Sequence, residues 1–102
     1  MLEETILNHL MSNEQYARKV APYLQLEYFE DNTNRKMFEH ISEYLNKYNT
    51  VPTKEAVVIE LGNDTSLTDD QYQQTVETID RFQPDEKTSL DWLTEKTEEW
   101  CQ

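Results

Sequence analysis

Two histidines, one cysteine and a surplus of carboxylates are the groups in this sequence that could do chemistry. Zinc takes four nitrogen, sulfur or oxygen ligands, so a zinc site would need His9 and His40 to converge with Cys101 or a carboxylate. The two stand on different candidate helices, His9 between the apolar Leu7 and Leu10 and His40 beside a wet face. Both read as helix-surface histidines. Cys101 has no nearby base or helix N-terminus to lower its pKa and reads as an inert or interface thiol. Asp64, Asp69 and Asp70 resemble a calcium loop only in being acidic, since the ligand spacing, central glycine and terminal glutamate are missing. Asp69 and Asp70 fit the first turn of a helix, where the macrodipole favours anions. No particular pair of carboxylates is marked for acid–base work. Gly62 is the only glycine. Neither G-x-x-x-x-G-K-S/T nor G-x-G-x-x-G can therefore occur, and these residues are not expected to hydrolyse nucleotide. No catalytic, cofactor-binding or metal-binding residue is expected.

The chain of 102 residues and 12.2 kDa fits one domain, residues 1–102. It carries 9 Lys plus Arg against 21 Asp plus Glu, a net charge of −12 at pH 7. A grip on phosphates or on an anionic membrane needs a basic footprint, so neither is expected. One cysteine excludes an internal disulfide framework. No apolar run approaches the roughly 18 residues of a membrane span. Met1-Leu2-Glu3-Glu4 is acidic where a secretion signal would be basic. The expected compartment is a reducing cytoplasm. Leu, Ile, Val and Phe supply 22 of 102 residues, just above the ~20% below which acidic chains tend to be disordered. One small core is expected, with several aromatics left near the surface.

The elements that must position these groups are helical. Leu2, Ile6, Leu7, Leu10 and Met11 share one helix face. Ser12 and Gln15 form a capping-box pattern for a second helix with Tyr16, Ala17 and Val20 on its apolar side. Pro22 marks a boundary near Ala21 or the first turn of another short helix. Asp31 to Asn34 offers N-caps for the strongest helix, whose stripe is Met37, Phe38, Ile41, Tyr44, Leu45 and Tyr48. Glu43 and Lys47 have the spacing of a favourable pair on its wet side, and Asn49-Thr50-Val51-Pro52 stops it. Thr53 can cap a shorter helix through Ala56, Val57 and Leu61, ending at Gly62. The β-branched run Val57-Val58-Ile59 could be a strand, but a lone strand would have no partner, so helix is preferred. Thr68 and Gln71 make a second capping box, followed by Tyr72, Val76 and Ile79 on one face and Phe82 near the end. After Pro84, Leu90, Leu93, Thr97 and Trp100 form a last stripe with no cap behind it. The simplest account is a chain that continues; a short natural protein with a frayed end is the alternative. The expected architecture is all-α, a compact orthogonal bundle of about six short helices.

Charge is uneven. Residues 1–51 hold 5 basic and 8 acidic groups, and residues 52–102 hold 4 and 13. This is either an ordinary solvated surface or an acidic face that meets a basic protein or imitates DNA. Trp92 is out of phase with Leu90, Leu93 and Trp100, so it serves an interface or a second packing surface.

Several motifs in order carry a family resemblance: Glu3-x-x-Ile6-Leu7-x-x-Leu10, Leu26-Glu27-Tyr28-Phe29, Asn34-Arg35-x-x-Phe38-x-x-Ile41, and Tyr48-x-x-Val51-Pro52-Thr53 with Ala56, Val57 and Leu61. The run resembles the N-terminal domain of DnaB-type replicative DNA helicases. Asn8 after Ile6-Leu7, where the bacterial pattern has glycine, and Trp92-Leu93-x-x-x-Thr97-Glu98 are similar to the T-even-type bacteriophage branch. The resemblance implies a helical head followed by a helical hairpin, with this chain cut before or within that hairpin. It implies a collar that supports a hexameric ring and contacts other helicase subunits, primase and, in some systems, a loader. The ATP- and Mg-dependent 5′–3′ motor would be a separate C-terminal domain. No family catalytic residue maps here. Phe82, Trp92, Leu93 and Trp100 are the expected protein-contact residues, Trp100 because it lies where the head would meet its continuation. A small acidic phage protein that inhibits a host DNA-binding enzyme by DNA mimicry is the alternative.

Overall fold

The computed structural model describes residues 2–101, and among them six α-helices carry the fold. They are α1 (Leu2–Ser12), α2 (Glu14–Val20), α3 (Asn32–Tyr48), α4 (Lys54–Gly62), α5 (Asp69–Arg81) and α6 (Leu90–Trp100). Two 3-10 turns, Ala21–Tyr23 and Leu26–Tyr28, lead from α2 to α3, and Pro22 opens the first. No strand forms among the described residues, and Val57-Val58-Ile59 lies inside α4. The all-α expectation therefore holds. No described helix is long and apolar enough to cross a membrane.

Five helix starts are fixed by side chains that accept the otherwise unpaired N–H groups of the first turn. Asp31 takes Thr33 N and Asn34 N, Thr53 takes Ala56 N, and Ser89 takes Trp92 N. Thr68 and Gln71 complete a reciprocal capping box on α5. The start of α2 departs from expectation. Asn13, not Ser12, caps it, accepting from Tyr16 N at 2.9 Å. Ser12 remains in α1 and donates its hydroxyl to Asn8 O at 2.8 Å, which removes it from capping.

The stops also differ from expectation. Asn49, with φ of 56°, is the left-handed residue that ends α3, and it is the only non-glycine at positive φ among the described residues. Gly62 is not in that region; it is the last residue of α4, and Asn63 behind it makes the cap. The Glu43–Lys47 pair is replaced by local contacts. Lys47 Nζ lies 5.4 Å from the Tyr48 ring centre, and Glu43 faces His40 Nδ1 at 3.9 Å.

α3 packs against α1, α4 and α5, while α2 bridges α1 and α6. The core between them is Ile6, Leu7, Leu10, Tyr16, Val20, Phe29, Met37, Phe38, Ile41, Val57, Leu61, Ile79 and Leu93, with Phe82 at its edge. The radius of gyration, 12.8 Å, is that of a close-packed chain of this length. α5 buries Ile79 and packs Tyr72 against the core as expected, but the buried face is turned toward two threonines. Thr75 and Thr78 join Ile79 inside, and Val76 is only partly covered. Threonine tolerates this because each hydroxyl donates one turn back, Thr75 to Gln71 O at 2.8 Å and Thr78 to Gln74 O at 3.0 Å.

Candidate docking surface

The four expected contact residues fall on both sides of the protein surface. Phe82 and Leu93 are buried. Within the chain they pack into the core and present little or no surface. Trp100 is half-buried and packs edge-on against Tyr28 and Phe29, with ring centres 5.9 and 5.0 Å away. Its apolar area is largely spent within the chain. Trp92 alone of the four projects outward, 48% exposed.

α6 presents Trp92 because its opposite face is tied down. Leu93, Thr94 and Thr97 are buried. Thr97 Oγ1 donates to Leu93 O at 2.7 Å, so Tyr16 must be the donor in its 2.7 Å bond to Thr97 Oγ1. This buried chain of hydroxyls links α2 to α6. Burial pushes the Tyr16 phenol up to about 12, which keeps it a donor at neutral pH. Replacing Thr97 by valine preserves shape but strands the Tyr16 hydroxyl. The expected cost is about 1–3 kcal/mol in urea denaturation, with Tyr16→Phe added to Thr97→Val recovering most of it.

Trp92 shares its face with Glu95, Lys96 and Glu99, at the spacing of adjacent helix turns, and Asp91 lies beside it. Lys96 is engaged with Glu99 at 3.5 Å. A second exposed region was not foreseen. A groove of about 500 Å³ runs between α2, the Ala21–Tyr23 turn and the end of α3, floored by Ala17, Ala21, Pro22, Leu24 and Leu45. Tyr23, next to Pro22, and Tyr48, next to Asn49, are 61% and 55% exposed.

The histidines are not surface residues, a correction. His9 is fully enclosed; Nδ1 lies 2.8 Å from Thr5 O, and Nε2 lies 3.8 Å from the Asp85 carboxylate. His40 packs its Nε2 against Asp64 Oδ2 at 2.8 Å. Asp64 also accepts from Ser66 N and Oγ at 2.9 and 2.6 Å. The Ser66 hydroxyl, then His40 and the Ser66 amide, hold its carboxyl well below the usual carboxylate range. Glu39, His40 and Asp64 bring ligand-type atoms within 4.8 Å of one another, the donor set a divalent cation would use. Lys36 Nζ already lies between the carboxylates, 3.2 Å from Glu39 and 3.3 Å from Asp64. An ammonium in that position does the neutralising work of an ion. The cluster is therefore a tie between α3 and the α4–α5 loop. Burial, with Glu98 adding to it, pushes the Cys101 thiol up and away from nucleophilic use.

Among the described residues Tyr23, Tyr48, Ile59 and Trp92 are the large apolar side chains left exposed. No protein-family profile matches the chain. Comparison with curated proteins finds a relative similar along almost the whole chain. The chain is 34% identical over 99 residues, or 97% of its length, to the DnaB-like replicative helicase of Enterobacteria phage T4. The chain spans 20% of that relative's length.

Proposed function

We propose that the chain is the non-catalytic N-terminal collar module of a phage replicative helicase, supporting ring assembly and docking primase and, where one is used, a loader. The observation that carries this reading is the similarity to a DnaB-like replicative helicase along 97% of the chain. The commitment of His9, His40 and Asp64 to internal contacts supports a scaffold over an enzyme. Strand separation, with its ATP and Mg²⁺, then belongs to the rest of the helicase, acting in the host cytoplasm. The same similarity favours this reading over a DNA-mimicking inhibitor.

The test is to add the purified protein to a coupled helicase–primase reaction. It is expected to lower primer synthesis by competing for the docking surfaces, with no ATP turnover of its own. Unchanged coupling, or inhibition of a host nuclease or polymerase instead, would overturn the proposal.

A further inference from the structure

The outer face of α6 is the place where exposure, aromaticity and charge coincide. Trp92 makes no ring or cation contact among the described residues, unlike Trp100. Its helix carries Asp91, Glu95, Glu98 and Glu99 against the single base Lys96. It lies in the half of the chain with 13 acidic and 4 basic groups. An electron-rich indole with Glu95 one turn along, and with Lys96 on the same face already paired with Glu99, attracts a cation twice, through the ring face and through the net negative charge of its helix. Two copies at −12 each would repel on this face, and nucleic acid would repel more strongly.

We propose that the face formed by Trp92, Asp91, Glu95 and Glu99 receives a basic helical segment of a partner protein, with an arginine or lysine laid across the indole. This rests on the docking role above and specifies the partner's chemistry. The flat guanidinium suits the ring better than an ammonium, since it stacks while still donating to Glu95 or Glu99. Leu93, Thr94 and Thr97 hold the helix from behind, so the face is formed before the partner arrives.

The probe is a labelled short helical peptide with arginines along one side and leucines along the other, titrated with the intact protein by fluorescence anisotropy. Trp92→Ala is expected to weaken binding about 30-fold, with an unchanged far-ultraviolet spectrum because the side chain is outside the core. Trp92→Phe, which keeps a ring, should retain part of the affinity and serves if the alanine variant misfolds. Glu95→Gln with Glu99→Gln should flatten the salt dependence. The inference is overturned if Trp92→Ala and Trp92→Phe bind within about twofold of the parent, if single-stranded DNA competes as well as the peptide, or if Trp92→Ala abolishes self-association instead. A Trp92-independent peptide in a protein that still disturbs helicase–primase coupling would remove this inference and leave the collar role standing. Trp92-dependent peptide binding without any effect on coupling would do the reverse.

Discussion

Truncating Phe29 to alanine is expected to cost about 4 kcal/mol, a large part of the roughly 5–15 kcal/mol that holds such a domain together. Phe29 is fully buried although it lies outside any α-helix, just after the second 3-10 turn. Its ring stacks on Phe38 of α3 at 4.8 Å and meets Trp100 of α6 edge-on at 5.0 Å. Its carbonyl is gripped by Arg35 through Nε at 3.1 Å and Nη2 at 2.8 Å. That clamp fixes the loop, so the surroundings cannot readily collapse into the space left by the ring. Urea denaturation followed by circular dichroism should show the loss, and Trp100 emission should shift to the red as its packing partner disappears. A cost below about 1 kcal/mol would mean that the loop relaxes and that Phe29 does not organise the core.

Replacing Asp64 by asparagine is expected to cost about 2–3 kcal/mol at neutral pH. The carboxylate side chain is 12% exposed and faces His40, Lys36 and Ser66 together. An asparagine keeps the shape but leaves the Lys36 ammonium with Glu39 as its one carboxylate partner, beside the Ser66 hydroxyl. The pH dependence follows from the direction of the shift. The folded carboxyl is depressed below its ordinary value. Its contribution is therefore complete above the unfolded value of about 4 and is lost as pH falls through the folded one. The stability gap between Asp64 protein and Asp64→Asn should be full near pH 7 and narrow below about pH 4. A gap independent of pH would show that the carboxylate charge contributes nothing to this tie.

The helices themselves were legible because helix formation is a local matter of turns and first-turn donors. Thr53, Thr68 and Gln71 act as their sequence positions predict. Of the expected α3 stripe, Met37, Phe38 and Ile41 are buried and Tyr44 and Leu45 half-buried, whereas Tyr48 at its end is exposed. Even where local chemistry misled, at Ser12 against Asn13 and at Gly62 against Asn63, the competing residues were neighbours and the error was one position. The resemblance to DnaB-type helicases was likewise carried by order and spacing along the chain, and a relative 34% identical upholds it.

Tertiary structure decided which of two possible faces each helix would bury. On α6 the phase already set Leu93 on the apolar stripe and Trp92 off it, but only the packing of the helices shows that Trp92 has no second packing surface and stays exposed. On α5 two threonines displaced a valine from the interior, since a hydroxyl bonded to its own helix can be buried at little cost. His40 and Asp64 stand 24 residues apart, and His9 and Asp85 lie at opposite ends of the sequence, so no local pattern could announce their pairing. Hydrogen bonds within a turn are written in consecutive residues; the meeting of distant side chains depends on how whole helices pack, which the order of residues does not display.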